Sequence, residues 1–282
     1  MPTDYNVIAD QYKRSKLTPW RQYIEQYTFF EILGDITGQS VLDLACGEGF
    51  YSRQLRLRGA SRVVGMDVSQ KMVELARAAE ADMPLDIEYV VADALAFRTA
   101  ETFDVVTASY LLNYAQTEDR LAEMCRTVAA ALKPGGLFVT VNNSPFQSPA
   151  SFEATRPYGF IKSIAGDLRP GTPITYTLFL ETESFSFDNY YQSPVAHERA
   201  LADAGLQDVE WRQTNFVGAN LHGAHLDKGF EAGVILAADH EASVSHDERA
   251  DLYLLEPMLR VDPIVQRLYF LRWLRQTGRI TP

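Results

Sequence analysis

Between residues 41 and 141, five short apolar runs alternate with segments of helical periodicity, and this alternation restricts the fold more than any other feature. Apolar runs of this length, bounded by turn residues, are typical of strands buried on both faces of a parallel sheet. Because parallel neighbours are joined by crossovers, we expect a doubly wound α/β sheet with helices on both faces. The runs are residues 41–45, 62–66, 87–91, 103–108 and 137–141.

Helix signals surround these runs. A helix predicted over 20–34 precedes the first run and ends at Gly34, a plausible C-cap. Ser69 is a candidate N-cap for a helix over 69–81. A further helix over 118–132 stops at a Lys-Pro-Gly-Gly turn. These segments supply the crossovers that a parallel sheet requires.

Two more strand-like segments follow, at 182–191 and from 209 to 211, with a helix predicted between them at 194–204. We expect these strands to finish the sheet as an antiparallel, hairpin-like pair. The predicted fold class is therefore α/β, with a Rossmann-like, seven-stranded, mostly parallel sheet and an antiparallel last strand.

The chain divides into one large predicted domain and a tail. Residues 1–240 form the domain, in which 1–38 is a helical cap and 142–182 is an aromatic-rich, proline-interrupted insertion. Irregular stretches of this length inside compact domains are usually functional, so we expect the insertion to line a pocket. Residues 241–282 carry two helical patterns and predict a C-terminal extension that packs on the domain or on a partner subunit. A homodimer through these helices is the candidate assembly.

Charge and cysteine content disfavour several classes of protein. The chain has 26 basic and 37 acidic side chains, a net charge of −11. This field repels phosphate backbones and anionic lipids, so we expect no nucleic-acid or membrane partner. No run of 18 apolar residues and no basic leader is present, which favours a cytoplasmic location. Cys46 and Cys125 are expected to be reduced, and the five histidines show no metal-site spacing.

An acidic residue and two glycines mark the end of the first predicted strand. Asp43 closes the strand, and Gly47 and Gly49 lie in the turn that opens the next helix. Glycines let the backbone approach a ligand closely, and a helix N-terminus offers free N–H groups. Asp67 closes the second strand, 20 residues after Gly47. This is the position expected for a carboxylate that accepts hydrogen bonds from the ribose hydroxyls of a ligand. The pattern predicts a nucleoside-type ligand.

The third glycine of a dinucleotide fingerprint is missing, because Phe50, Tyr51 and Ser52 follow Gly49. A carboxylate at Asp43 would also repel a pyrophosphate, yet it can bind an ammonium group. We therefore favour a cofactor with an amino acid end, and we keep an NAD-linked dehydrogenase as an alternative.

From about residue 5 to residue 216 the chain resembles the class I S-adenosylmethionine-dependent methyltransferases. Residues 43–49 resemble the glycine-rich first motif, with Ala45 in place of its first glycine, and 92–94 resemble the motif whose acid contacts the adenine amino group. Residues 132–136 resemble the turn before the fifth strand. The resemblance implies S-adenosylmethionine as cofactor. The predicted cofactor-binding residues are Tyr5, Tyr12, Asp43, Ala45, Gly47, Gly49, Asp67, Val68, Met72, Asp93, Ala94 and Ser109.

Residues 43–51, 109–115, 142–143 and 158–160 are similar to those of the toxoflavin-synthase-type small-molecule N-methyltransferases. The resemblance implies methyl transfer to a small planar aromatic or heteroaromatic metabolite, with nitrogen favoured. Such an in-line displacement depends mainly on alignment and desolvation. O-methylation of a phenol or carboxylate is one alternative, and a cofactor-binding protein without methyl transfer is another.

Polar side chains near the carboxyl ends of the fourth and fifth strands are candidates for acceptor chemistry, because ligands of open parallel sheets bind at this edge. Ordinary packing or turn formation is the competing interpretation for each of them. The candidate catalytic residues are Tyr110, Asn142, His222 and His225, and the candidate substrate-binding residues are Asn113, Tyr114, Asn143, Tyr158 and Tyr191.

Overall fold

A central sheet with helices on both faces organises the computed structural model, which describes residues 4–18, 21–97, 99, 101–213 and 232–238. The helices are α1 (Tyr5–Ser15), α2 (Gln26–Leu33), α3 (Phe50–Leu57), α4 (Gln70–Asp82), α5 (Glu118–Ala131) and α6 (Pro194–Asp203). The strands are β1 (Ser40–Leu44), β2 (Arg62–Asp67), β3 (Ile87–Val91), β4 (Phe103–Ser109), β5 (Leu132–Asn143), β6 (Phe160–Ser163), β7 (Pro173–Phe179), β8 (Ser184–Tyr190), β9 (Gln207–Gln213) and β10 (Ala232–Ala238). Short π and 3-10 helical turns span Arg21–Glu25, Leu112–Tyr114 and Pro149–Tyr158.

The central sheet has the strand order β3-β2-β1-β4-β5-β10-β9. Strands β1 to β5 pair in parallel, whereas β10 is antiparallel to both β5 and β9. The doubly wound, mostly parallel sheet is therefore confirmed. The strand order reverses between β1 and β4, which is where open sheets of this kind bind their ligands.

The helices predicted at 69–81, 118–132 and 194–204 are present, but the Lys-Pro-Gly-Gly turn is not. The helix α5 ends at Ala131, and residues 132–136 already belong to β5, where Leu132 pairs with Phe103. The side chains of Ser69, Thr117 and Ser193 each accept a hydrogen bond from the backbone N–H three residues later, so they cap α4, α5 and α6. Gly34 ends α2 with a φ of +69°. The helix expected over 20–34 begins as the π-helical turn and continues as α2.

The strand predicted at 182–191 is present as β8, but its expected place in the central sheet is wrong. β8 pairs antiparallel with β7, and β7 pairs with β6, so the three strands form a separate small sheet. A short turn joins β7 to β8, and local pairing across a short turn closes a smaller loop than pairing with a distant strand. The antiparallel edge of the central sheet is instead formed by β10 and β9.

Alternating side chains of β1 divide the core of the central sheet. Leu42 and Leu44 pack in the cluster that includes residues of α5 and α6, whereas Val41 packs in the cluster that includes residues of α2 and α3. A third cluster joins α1 to the small sheet, with Tyr12 and Phe187 among its buried members. This third core holds α1 and the small sheet together near the carboxyl edge of the central strands.

Several predictions concern residues outside the described part of the chain. They are the histidines His222 and His225, the extension over 241–282 and the homodimer through its helices. Cys46 and Cys125 are buried free thiols, as expected. Among the residues described, no helix combines the length and the apolar character that a membrane crossing needs.

Candidate active site

A cavity of about 410 Å³ opens at the carboxyl edge of the central sheet, where the strand order reverses. Its walls include the ends of β1, β2 and β4, and α1 covers one side. The structure brings most of the predicted residues to this one place. Those that line the cavity are Tyr5, Tyr12, Asp43, Ala45, Gly47, Asp67, Val68, Met72, Asp93, Ala94, Ser109, Tyr110 and Tyr114.

The two glycines of the turn between β1 and α3 have different roles. Gly47 lines the cavity with a φ of +57°, and a Cβ there would meet no atom within 4 Å. Gly49 has a φ of +81°, but a Cβ there would lie 2.4 Å from the hydroxyl of Tyr89. Gly47 therefore leaves room for a ligand, whereas Gly49 lets the turn pack on β3 and does not line the cavity.

Asp67 ends β2 with both carboxylate oxygens anchored to the backbone. Oδ2 accepts the N–H of Gly47 at 2.9 Å, and Oδ1 accepts the N–H of Ser69 at 2.8 Å. Burial raises the pKa of Asp67, and these hydrogen bonds oppose that shift. Each oxygen keeps a further lone pair, so the carboxylate can accept two ligand hydroxyls.

Asp43 is buried at the bottom of the cavity, with 1% of its surface exposed. Its oxygens accept hydrogen bonds from the hydroxyls of Ser52, at 2.6 Å, and Thr107, at 3.0 Å. Burial raises the pKa of Asp43 to about 6, although the two hydroxyls and the charge of Lys16 lower it. A buried carboxylate that lines a cavity favours a cationic group of the ligand.

Lys16, which the sequence reasoning missed, also lines the cavity. Its buried ammonium lies 5.1 Å from the ring centre of Tyr12 and 5.3 Å from that of Tyr51. No ion pair joins it to a carboxylate in the part of the chain that the structure describes. Arg120, Asp4, Asp67 and Asp93 also line the cavity, but Lys16 lies close enough to Asp43 for its charge to lower the pKa of that carboxyl. Lys16 and Asp43 together can therefore hold the two charges of a zwitterionic amino acid.

The other end of the cavity suits a flat base. Val68 exposes 66% of its surface there, and Met72 and Ala94 are buried apolar neighbours. Asp93 lines this end, and its Oδ1 accepts the N–H of Leu95 at 2.9 Å. Asp93 thus caps its own turn, and its second oxygen is available to a ligand amino group.

Tyrosine rings close the side of the cavity under α1. The hydroxyls of Tyr5 and Tyr114 are hydrogen-bonded to each other, and the ring of Tyr12 lies 5.3 Å from that of Tyr5, edge to face. Burial raises the pKa of Tyr5 and of Tyr114 well above the ordinary value. Asn6 accepts a hydrogen bond from the hydroxyl of Ser69 at 2.9 Å, which holds α1 against the turn after β2.

Tyr110, a candidate catalytic residue, lines the cavity, but its hydroxyl donates to Oε2 of Glu25. The hydroxyl of Tyr51 donates to the other oxygen of Glu25 at 2.7 Å. Glu25 is completely buried, and burial is the main cause that raises the pKa of Tyr110 well above its ordinary value. The hydroxyl of Tyr110 therefore holds the N-terminal segment, and its catalytic role stays a prediction.

Five other predicted residues do not line the cavity. Asn113 and Asn143 are hydrogen-bonded to each other beyond Tyr114, and Asn142 is completely buried within β5. Tyr158 and Tyr191 pack in the core between α1 and the small sheet.

Lys16 was missed because a single lysine at the end of an amphipathic helix carries no motif that marks it as a ligand-binding residue.

The cavity fits an adenosyl amino acid. Gly47 leaves open space in its wall, and the hydroxyl of Ser109 is buried there with no hydrogen-bond partner among the described residues. The anchored carboxylate of Asp67 suits a vicinal diol, and Asp43 with Lys16 suits a zwitterion. In the described ranges, no three His, Cys, Asp or Glu side chains come close enough to hold a metal ion.

Comparison with known proteins agrees with this geometry. Residues 41–136 match the family described as methyltransferase domain. N-demethylindolmycin N-methyltransferase from Streptomyces griseus is 25% identical over 175 residues, which are 60% of this chain and 70% of that protein. A ubiquinone biosynthesis O-methyltransferase from Paraburkholderia xenovorans is 36% identical over 113 residues, which are 39% of this chain and 47% of that protein. The chain thus spans about half the length of this second relative.

A solved structure shows the same fold. An S-adenosylmethionine-dependent methyltransferase from Clostridium acetobutylicum superimposes with a TM-score of 0.57 at 17% identity, covering 85% of this chain and all of that one. The family match spans the strands and turns that build the cavity, from β1 to the start of β5. Residues 41–136 therefore match a methyltransferase domain, and the described part of the chain has the fold of a solved S-adenosylmethionine-dependent methyltransferase.

Proposed function

We propose that the protein transfers the methyl group of S-adenosylmethionine to a small planar aromatic or heteroaromatic metabolite, with a ring nitrogen as the favoured acceptor atom. When bound, the cofactor supplies an electrophilic methyl group on a sulfonium. The residues of this chain then have to hold the cofactor, exclude water and align the acceptor.

The observation that carries the proposal is a stack of rings beside the cavity, which we call the ring wall: Phe160, Tyr176 and Phe187. Adjacent rings lie 6.2 Å and 5.4 Å apart, at interplanar angles of 13° and 8°. Phe187 also contacts Tyr5 and Tyr12, with ring centres at 6.1 Å and 5.8 Å. Both tyrosines line the cofactor cavity, and the buried ring wall packs directly behind them. This side of the cavity is therefore aromatic, which favours a flat acceptor next to the methyl donor.

The cavity residues would hold the cofactor from end to end. We assign the ribose hydroxyls to Asp67, the ammonium to Asp43 and the carboxylate to Lys16. Asp93 would contact the adenine amino group. Gly47 permits close approach of the backbone, and the free N–H groups at the start of α3 face the same turn.

The tyrosines favour catalysis by proximity over catalysis by a base. Because burial raises the pKa of Tyr5 and Tyr114, their hydroxyls stay protonated and can donate a hydrogen bond but not remove a proton. An acceptor nitrogen with a lone pair is already nucleophilic, so alignment in a dry site suffices. His222 and His225 remain candidate bases outside the described residues.

The relatives support two acceptor atoms. The N-methyltransferase relative matches the larger share of this chain, and the resemblance of residues 109–115 to the toxoflavin-synthase type also favours nitrogen. The O-methyltransferase relative is the more identical one, so O-methylation of a phenol is the second candidate. The net charge of −11 and the free thiols support action in the cytoplasm on a small metabolite.

Transfer of label from methyl-tritiated S-adenosylmethionine tests the proposal. The chain is incubated with three sets of planar acceptors: nitrogen heterocycles, phenols and aromatic carboxylates. We expect label in nitrogen heterocycles, while label confined to phenols would move the assignment to oxygen. Tight binding of S-adenosylhomocysteine with no transfer to any set would contradict methyl transfer.

A further inference from the structure

Four carboxamides lie where the central sheet meets the small sheet, and we call them the amide cluster: Asn113, Asn143, Asn189 and Gln192. Asn113, Asn189 and Gln192 are buried, with 4%, 1% and 2% of their surface exposed, and Asn143 is partly buried. They come from the 3-10 turn after β4, the end of β5, and β8 with the residues after it. β8 packs against that 3-10 turn, which brings the amides together.

Hydrogen bonds fix the atom that three of the four amides present. Oδ1 of Asn113 accepts the backbone N–H of Asn143 at 3.1 Å, so its NH₂ group is left over. Oδ1 of Asn143 accepts the hydroxyl of Tyr176, which again leaves the NH₂ group. Nε2 of Gln192 donates to the carbonyl of Ala115 at 2.9 Å, which leaves Oε1.

The atoms left over have no hydrogen-bond partner within the described residues. They are Nδ2 of Asn113, Nδ2 of Asn143, Oδ1 of Asn189 and Oε1 of Gln192. A buried amide atom without a partner loses its hydration and gains nothing in return, and native proteins keep few such atoms. Two donors and two acceptors gathered in one place are therefore expected to be completed by a ligand or by ordered water.

The amide cluster adjoins both the ring wall and the cofactor cavity. Tyr176 belongs to the ring wall, and its hydroxyl is hydrogen-bonded to Asn143. Tyr114 follows Asn113 directly, lines the cavity and is hydrogen-bonded to Tyr5. A planar molecule at the end of the cavity beside Tyr114 would thus have one edge towards the amides and the other towards the methyl donor.

The amide cluster carries no charge of its own. Lys162, whose ammonium lies 5.1 Å from the ring centre of Tyr176, donates a hydrogen bond to Gln147 at 2.5 Å. A ligand carboxylate bound at the amide cluster would be a buried negative charge with only neutral partners. Its desolvation costs free energy that a paired cation would have to offset. A neutral ligand with carbonyl and N–H groups along one edge matches two donors and two acceptors.

We propose, resting on the methyl-transfer function above, that the amide cluster recognises the acceptor and that the acceptor is an uncharged planar ring system with a lactam-like edge. Asn113 and Asn143 donate to its carbonyl oxygens, and Asn189 and Gln192 accept from its N–H groups. The four amides are then specificity-determining residues, and aromatic carboxylates are not substrates.

The test measures binding, so it does not depend on turnover. Protein saturated with S-adenosylhomocysteine is titrated calorimetrically with three bicyclic probes: quinazoline-2,4-dione, which has lactam edges; quinoline, which has only a ring nitrogen; and quinoline-2-carboxylate, which is charged. We expect the dione to bind at least roughly tenfold more tightly than quinoline, because quinoline leaves the amides unpaired. The carboxylate should bind most weakly.

Asn143→Asp is the informative variant, because it keeps the oxygen that accepts from Tyr176 and removes the unpaired NH₂ donor. We expect it to lower the affinity for the dione by roughly tenfold or more and to leave the affinity for S-adenosylhomocysteine within about twofold. If Asn143→Asp does not fold, Asn143→Ser removes the NH₂ donor without adding a charge, and Tyr176→Phe measures the separate effect of losing the hydrogen bond between Tyr176 and Asn143. Gln70→Glu, on an exposed face of α4, is the matched amide-to-acid control and should change neither affinity.

The outcomes separate the two proposals. If the wild type does not bind S-adenosylhomocysteine, the proposed function fails whatever the amides do. If it does bind, and quinoline-2-carboxylate is the tightest probe or no probe binds, the assignment of the amide cluster is wrong. Equal affinity of Asn143→Asp and the wild type for the dione would also overturn it, because ordered water would then be the partner of these amides.

Discussion

Three aspartates end successive strands at the cavity, and each is held differently. Asp67 is fixed by two backbone N–H groups, Asp43 by two buried hydroxyls and Asp93 by one N–H of its own turn. A carboxylate whose orientation is set by backbone donors binds a ligand without further ordering, which favours affinity. We therefore expect Asp67 to contribute most to cofactor affinity.

Asp67→Asn should weaken binding of S-adenosylhomocysteine by about 1–3 kcal/mol, because it removes a charged acceptor of buried hydroxyls. Isothermal titration calorimetry measures this loss. Asp35→Asn is the matched control, since Asp35 likewise accepts the N–H two residues later, at 2.9 Å, but does not line the cavity. Equal affinities of Asp67→Asn and the wild type would rule out the ribose assignment.

Lys16→Met should lower the affinity for S-adenosylhomocysteine by roughly tenfold or more, because the carboxylate of the ligand loses a charge-assisted hydrogen-bond partner. Binding of 5′-methylthioadenosine, which lacks the amino acid end, should stay within about twofold. Lys13→Met, on the exposed side of α1, is the control. If both ligands weaken equally, Lys16 acts on the structure of the cavity and not on the carboxylate.

The affinity for S-adenosylhomocysteine should fall as the pH drops below about 6. Burial raises the pKa of Asp43 to about 6, and only the ionised carboxylate attracts the ammonium of the ligand. Titrations between pH 5 and 8 should show this fall in the wild type and not in Asp43→Asn. Affinity for 5′-methylthioadenosine should be flat in both proteins, and a parallel fall for that ligand would point to Asp67 instead.

The ligand-free protein should show the opposite trend in stability. The pKa of Asp43 is raised in the folded state, so the protonated form favours folding. This contribution is complete below about pH 4, the ordinary value for aspartate, and is lost as the pH rises through about 6. Denaturant titrations of the wild type and Asp43→Asn across this range measure it, and a difference between them that does not change with pH would contradict the assigned shift.

At the scale of elements, the two glycines of the turn between β1 and α3 have different roles: Gly47 matters for ligand binding, and Gly49 matters for the stability of the fold. Gly47→Ala should lower the free energy of unfolding by only about 1 kcal/mol, which is the strain of a positive φ. It should also lower the affinity for S-adenosylhomocysteine, because the added methyl group enters the cavity. Gly49→Ala should cost more, since its Cβ would collide with Tyr89. Thermal melting and calorimetry of both variants test this, and the reverse order of effects would contradict it.

Elements with strong local signals could be predicted from the sequence, and those fixed by distant contacts could not. The apolar run at 41–45 and the cap at Ser69 gave β1 and α4 nearly at their observed bounds. The small sheet was missed in part because β7 begins at Pro173 in a stretch that prolines interrupt. Whether β8 joins this sheet or the central one depends on loop closure and not on its own pattern.

At the scale of the whole molecule, the site combines segments that lie far apart in the chain. The strand-end aspartates could be predicted because parallel strands bring their carboxyl ends to one edge. Tyr5 and Tyr12 of α1 were predicted only through the family resemblance, and Lys16 on the same helix carries no motif that marks it. Asn189 and Gln192 could not be predicted, because the small sheet reaches that edge only through the third core cluster. Spacing within the central sheet thus encodes the aspartates of the site, whereas packing of α1 and the small sheet against the central sheet supplies its other residues.

A crystal structure of the chain with S-adenosylhomocysteine tests the central claim most directly. The account predicts one molecule in the cavity, with its ribose hydroxyls on Asp67, its ammonium towards Asp43 and its carboxylate on Lys16. Its sulfur should face Tyr5 and Tyr114. An empty cavity at saturating ligand, or an adenosine bound elsewhere on the chain, would contradict the account.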